Sequence, residues 1–130
     1  MFPAPEWFEA WKAAAASDRE LEVFGKWSTL GFALRSGEEV FRIRLRKGRI
    51  EEVLTEPDTN DSWSFTLAGA PEDWEAFLQE TPPPFYHDLL AMNVRVTSFS
   101  IEGDWHTFMQ HIRTIKRIFR IAQTLGGRGA

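Results

Sequence analysis

The apolar positions along this chain change period several times, and those changes mark its elements. Pro5 suits a first helical position. Trp7, Phe8, Trp11 and the Ala13–Ala16 run after it predict a helix with an aromatic face, ending near Ser17-Asp18. From Val23 the period becomes two: Leu30, Phe32 and Leu34 alternate with small or polar residues, predicting a first strand closed by a Ser36-Gly37 turn. Phe41-Arg42-Ile43-Arg44-Leu45-Arg46 alternates cleanly, Lys47-Gly48 supplies a tight turn, and Arg49 to Leu54 returns, which predicts a hairpin. After a loop at Pro57-Asp58-Thr59-Asn60, Trp63, Phe65 and Leu67 face one side of a fourth strand, and Ser62, Ser64 and Thr66 the other. Ala70-Pro71-Glu72-Asp73 opens a short helix in which Trp74, Phe77 and Leu78 stand at i, i+3 and i+4, with the acids in the first turn, where the helix dipole favours them.

Thr81-Pro82-Pro83-Pro84 excludes helix interior and central strand, so it reads as a stiff connection, with Phe85, Leu89 and Leu90 able to form one or two helical turns after it. Val94 to Ile101 is β-branched and apolar and predicts a fifth strand, with a bulge near Ser98-Phe99. Gly103 breaks it. Asp104 then caps a long last helix in which Trp105, Phe108, Ile112, Ile115, Phe119 and Ala122 recur at spacings of three and four, until Gly126-Gly127 stops it. The order predicts one α+β domain over residues 1–130. An N-terminal helix spans 1–19, a sheet with inserted helices 20–102, and an amphipathic C-terminal helix 103–125.

Composition narrows the function classes. The 130 residues contain no Cys and three His, which excludes disulfides, thiolate metal sites and a cysteine nucleophile, and fits a reducing compartment, so the cytoplasm is expected. Met1-Phe2-Pro3-Ala4-Pro5-Glu6 has neither the basic nor the apolar part of a leader, and no apolar run approaches the ~18 residues of a membrane span; the reading is a soluble, unprocessed chain. The net charge of −4 is uneven: residues 1–104 sum to −9 and residues 105–130 to +5. An acidic body argues against nucleic acid as a partner. Six Trp, eleven Phe and one Tyr are a large aromatic share for a domain this small, so a wide space is being lined or filled.

Few residues offer chemistry. His106 and His111 lie five apart, about 140° around a helix, where two ligands on one face need three or four, so no metal site is expected. No Gly-x-Ser-x-Gly elbow exists, and Gly126-Gly127-Arg128-Gly129 opens no helix that could cradle a phosphate. His87-Asp88 is the one adjacent acid–base pair, and its bland reading is a surface pair. In a two-residue hairpin Arg44 stands opposite Glu51, so the Arg42, Arg44, Arg46 row reads as a solvated, charge-paired face. The same register puts Glu52 beside Ile43 on the apolar face, unless a bulge shifts it outward. On the last helix, Arg113, Lys116, Arg117 and Arg120 lie with His106 opposite the apolar arc. Either that arc packs on the sheet while the cations favour the helix C-terminus, or it roofs a lipid cavity while they approach anionic headgroups or an acidic partner.

The run from Trp63 through Ser-Phe-Thr-Leu-Ala-Gly-Ala-Pro-Glu-Asp-Trp74 to Leu78, a strand ending Ile101-Glu102-Gly103-Asp104, and the terminal amphipathic helix resemble the sterol carrier protein type two superfamily over roughly residues 20–122. The resemblance implies a five-stranded, mostly antiparallel sheet covered by helices, around an apolar tunnel for sterols, fatty acids, acyl-CoA or phospholipids. It implies no catalysis, cofactor or metal. On that reading Trp63, Phe65, Leu67 and Phe99 of the sheet oppose Trp74, Phe77, Leu78, Phe108, Ile112, Ile115 and Phe119, and Phe85, Tyr86, Leu89 and Leu90 form a gate. Tyr86, His87, Glu52, Arg113 or Lys116 would orient a headgroup. The chain departs from the family at Thr81-Pro-Pro-Pro-Phe-Tyr-His87, where a Gly-containing loop is usual, so the mouth is reshaped or closed. It ends Gly-Arg-Gly-Ala, so no peroxisomal address is carried over. The rival expectation is a non-catalytic interaction module accessory to an enzyme, its cavity filled by its own aromatics, that dimerises or docks through the first helix if Trp7 and Trp11 are exposed.

Overall fold

The computed structural model describes residues 1–55 and 63–126. The loop expected at Pro57-Asp58-Thr59-Asn60, Ser62 and the glycine-rich end from Gly127 lie outside the described residues. In chain order the elements are α1 (Pro5–Ala16), α2 (Arg19–Phe24), a 3-10 turn (Gly25–Trp27), β1 (Leu30–Ser36), β2 (Glu39–Arg46), β3 (Arg49–Leu54) and β4 (Phe65–Gly69). They continue as α3 (Pro71–Phe77), α4 (Leu89–Arg95), β5 (Ser100–Gly103), α5 (Trp105–Gln110) and α6 (Ile112–Leu125). The five strands form one sheet in the order β3-β2-β1-β4-β5, antiparallel except for the parallel β1/β4 pair. Period-two alternation puts Phe32, Leu34, Phe41, Ile43, Leu45, Phe65 and Leu67 on one sheet face. All are buried in a core shared with Trp7, Phe8 and Trp11 of α1, Trp74 and Phe77 of α3 and Ile115, Ile118 and Phe119 of α6.

The hairpin turns on Lys47 and Gly48, both at positive φ (52° and 79°), the mirror-image turn whose twist suits flanking strands. Its register differs from the expected one. The pairing slips between Arg44 and Leu45, so Arg44 faces Glu52 rather than Glu51. The bulge keeps buried Ile50 and half-buried Val53 on the core side and turns both carboxylates outward. Arg44 Nη1 then donates to Glu52 Oε1 at 2.7 Å, and Arg46 lies 3.7 Å from Glu51. Glu52 is therefore charge-paired and not a polar group beside Ile43.

Three further expectations need correction. The chain from Val23 does not begin a strand: Asp18 Oδ2 accepts from Leu21 N at 3.0 Å, capping α2, and Val23 is 70% exposed. The fifth strand does not run from Val94. Asp88 accepts from Leu90 N at 2.7 Å and starts α4, whose Leu89 and Met92, three apart, face the core, so capping overrides the β-branched composition and leaves only Ser100–Gly103 as strand. Asn93 Oδ1 accepts from Ile101 N at 2.9 Å, satisfying a donor on this edge strand. The last helix is two helices. It breaks at His111 (φ −108°, ψ 16°), and the buried stripe of α6 runs through Ile115, Ile118, Phe119 and Ala122 while Ile112 is half-buried.

A side chain at Gly48 would meet the Gly25 main chain at 2.7 Å while holding a positive φ. Gly48→Ala should therefore cost more than about 2 kcal/mol in a urea unfolding titration, since the left-handed backbone alone costs about 1–2 kcal/mol. An unchanged midpoint would mean that the 3-10 turn is not held against the hairpin.

Candidate functional site

A cavity of about 670 Å³ opens where four segments meet: Met1, Phe2 and Pro3 before α1, Ser36 at the end of β1, Pro71, Glu75, Leu78 and Gln79 in and after α3, and Leu125 and Gly126 at the end of α6. Each wall has a local cause. Pro71 starts α3, whose first turn is tied by Ala70 N donating to Asp73 Oδ2 at 2.9 Å; buried Asp73 also accepts from Ser98 Oγ at 2.7 Å. Gly126 ends α6 at φ 71°, and its carbonyl accepts from the buried Trp7 indole at 2.7 Å. Gln123, 4% exposed, donates to the carbonyls of Phe77 at 3.2 Å and His87 at 3.4 Å, fastening the end of α6 to the proline-rich connection. Phe2 separates the cavity from the core, its ring 5.0 Å from that of Trp7 and 6.1 Å from that of Trp74.

Of the fourteen residues expected to line a ligand tunnel, buried Leu78 lines this cavity. Trp74, Phe77, Phe99 and Phe119 are brought together, with Trp74 5.9 Å from Phe77, 5.8 Å from Phe99 and 6.2 Å from Phe119 between ring centres. Phe65 and Phe108 meet edge to face at 5.2 Å, and Ile115 and Leu89 are buried in the same core. Tyr86, Leu90 and Ile112 are half-buried against it. Phe85 stands apart, half exposed at φ 74° with the Arg95 guanidinium 5.7 Å from its ring. Trp63 is 39% exposed and does not share the inner face with Phe65; it lies outside β4, with Arg42 5.4 Å from its ring. Sequence reasoning missed Phe2, Pro3, Leu125 and Gln123. The first two were read only for the absence of a leader, and Gln123, four residues after Phe119, was a detectable polar position on the buried stripe.

The cations of the last helix have inward duties. Arg117 donates to both oxygens of Asp18 at 3.0 and 2.6 Å and lies 2.9 Å from Glu20. Lys116 is 3.3 Å from Asp88, the cap of α4, and Arg120 donates to the Glu80 carbonyl at 3.1 Å. Arg113 instead stacks over Phe24 at 4.2 Å. His87 is exposed while its neighbour Asp88 is engaged as cap and ion-pair partner. Among the described residues no group of three or more His, Asp or Glu could hold a metal, and no helix is long and apolar enough to cross a membrane.

No family model and no curated protein matches the sequence. Among solved structures the likeness is clear: the chain has the sterol carrier protein 2 fold. It is similar to a crystal structure of sterol carrier protein 2 with a TM-score of 0.74 and 11% identity, over 95% of this chain and 98% of that one. It is also similar to UbiJ-SCP2, a ubiquinone synthesis protein, with a TM-score of 0.60 and 10% identity, over 88% of this chain and 90% of that one.

Hydrogen bonds from Arg117 hold the Asp18 carboxyl below its ordinary value near 3.8. A carboxylate depressed by folding stabilises the folded state above its unfolded pKa, and that stabilisation is lost as pH falls through the folded value. Asp18→Asn, which keeps a capping oxygen, should therefore lower stability by about 1 kcal/mol at neutral pH. It should also flatten the loss of stability measured below about pH 4. Parallel pH curves for the two proteins would remove the pair as their cause.

Proposed function

We propose that this chain binds and carries a hydrophobic ligand of the fatty acid, acyl-CoA, sterol-like or phospholipid class, without catalysing a reaction on it. The observation that carries this reading is the cavity of about 670 Å³, walled by Phe2, Pro3, Leu78 and Leu125 and set beside the aromatic core of a sterol carrier fold. Its volume lies in the range of about 300–1,000 Å³ common for ligand sites. Burial at about 0.8 kcal/mol per CH₂ gives a chain of twelve to sixteen carbons on the order of 10 kcal/mol gross before ordering costs, so apolar walls suffice without a catalyst. The two similar structures, a sterol carrier and a ubiquinone synthesis protein, concern water-insoluble molecules, which supports the same class. On this reading the buried rings of the predicted lining, Phe65, Trp74, Phe77, Phe99, Phe108 and Phe119, form the inner wall that a bound tail reaches past Phe2. The ligand would be acquired and released in the cytoplasm.

A second reading has its own observation. The rings of Trp74, Phe77, Phe99 and Phe119 already fill space between sheet and helices, which favours an accessory interaction module with a self-filled interior. Its expected docking surface on α1 is not supported by exposure, because Trp7 and Trp11 are 1% and 0% exposed.

Native mass spectrometry of the purified chain separates the two. Co-purified lipid, and displacement of a fluorescent fatty acid, are expected for the carrier, with Leu125→Trp weakening binding at least tenfold by filling the cavity. An empty protein that takes up no fluorescent fatty acid or sterol probe would sink the carrier reading and leave the module.

A further inference from the structure

A second cleft lies apart from that cavity and shares no residue with it. It measures about 340 Å³ and is formed by Phe24, Trp27 and Ser28 on one side and Gln110, His111, Arg113 and Thr114 on the other, where the last helix breaks. Both sides are built. The Ser28 hydroxyl, in a residue 3% exposed, lies 2.9 Å from Thr114 Oγ1 and 2.9 Å from His111 Nδ1. These contacts orient the imidazole by one nitrogen. Its other nitrogen has no protein partner among the described residues, and since no buried side-chain polar atom is left unpaired, that nitrogen reaches solvent.

The opposite wall is a large ring left in water. Trp27 is 79% exposed, the most exposed aromatic side chain described, with the Lys26 ammonium 5.2 Å from its centre. Arg113 is held over Phe24 at 4.2 Å. Lys116 and Arg117 both have carboxylate partners, whereas among the described residues Arg113 and Lys26 make no ion pair. The cleft thus combines two aromatic rings, the Arg113 cation, an amide and an oriented imidazole, with Lys26 beside the Trp27 ring.

We propose that this cleft binds a small aromatic carboxylate, its ring against Trp27 and Phe24 and its charge met by Arg113. A guanidinium offers a carboxylate two parallel donors, and a flat ligand keeps the aromatic contact without needing a deep apolar cavity. The site is independent of lipid carriage, so either reading can fail alone.

The test is an NMR titration of the full chain with 2-naphthoate and with the uncharged 2-naphthol, followed at the Trp27 indole N–H and the His111 ring. Saturable shifts centred on residues 24–28 and 110–114 are expected, with naphthol at least tenfold weaker. Trp27→Ala and Arg113→Gln should each weaken naphthoate at least tenfold without moving the unfolding midpoint; exposed Trp27 is the variant least able to disturb the core. No saturable shift at millimolar naphthoate, or equal binding of naphthol, would overturn the site. So would shifts centred on Phe2, Leu78 and Leu125, or a Trp27 response to phosphatidylglycerol vesicles with none to naphthoate.

Discussion

Three buried indoles set the frame of this protein, because each brings an N–H donor into the core, where it needs a protein partner. Trp7, Trp11 and Trp74 are at most 1% exposed, and each reaches a main-chain carbonyl far away in sequence: Gly126 at 2.7 Å, Ile118 at 2.7 Å and Arg35 at 2.8 Å. A buried donor without a partner costs about 1–3 kcal/mol, so these contacts determine more than their own strength suggests. A carbonyl has two lone pairs, so the Ile118 oxygen can take an indole from within a helix. Trp7 and Trp11 thereby pin α1 along α6, and Trp74 pins α3 to β1. The rings then form a continuous network, from Phe2 through Trp7 and Trp11 to Phe119.

The position of the cavity follows from that network. Space between sheet and helices is taken up wherever rings meet, and the cavity lies on the far side of Phe2, whose ring meets Trp7, Phe8, Phe41 and Trp74. The carbonyl that accepts from Trp7 belongs to Gly126, so the same bond that satisfies an indole places Leu125 and Gly126 as a wall. Gln123 carries the other side, joining the end of α6 to the carbonyls of Phe77 and His87. The mouth is thus framed by main-chain polar groups bonded to side chains, and its surface is mostly apolar.

Much of the fold was legible because period and turn chemistry agreed. The hairpin, β1, β4, α1 and α3 all follow from alternation or three-and-four spacing next to a fitting turn or a helix-starting proline. Legibility ended where one side-chain contact outweighed composition. Asp88 and Asn93 make Val94 part of a helix, Asp18 makes Val23 part of another, and an imidazole bonded to Ser28 marks a break that apolar spacing across residues 108–112 concealed. Register was half legible: that Glu52 would sit on the apolar face exposed the conflict, and the bulge resolves it. The site was the least legible part. Leu78 was legible from the three-and-four spacing of α3, but the other walls come from the first three residues, the end of β1, the exposed side of α3 and the end of α6, which no single periodic pattern joins. The aromatic residues that do form one were readable as interior, but nothing in their spacing distinguishes a ring that lines space from a ring that fills it.

The charge asymmetry of the sequence acquires a different meaning once partners are assigned. A half-exposed ion pair contributes at most about 1 kcal/mol, yet the bidentate geometry of Arg117 on Asp18, whose side chain is only 12% exposed, makes that pair stronger and directional. Asp18 is also the cap of α2, and Asp88 the cap of α4, so two cations of α6 hold two helix starts that lie far from it in sequence. The basic helix is therefore tied to the acidic body, and among its described cations two of the four, Lys116 and Arg117, are already paired with carboxylates. Arg113 falls outside this scheme: two residues after the break at His111 it is exposed, and its guanidinium lies over the Phe24 ring at the end of α2 rather than on an acid.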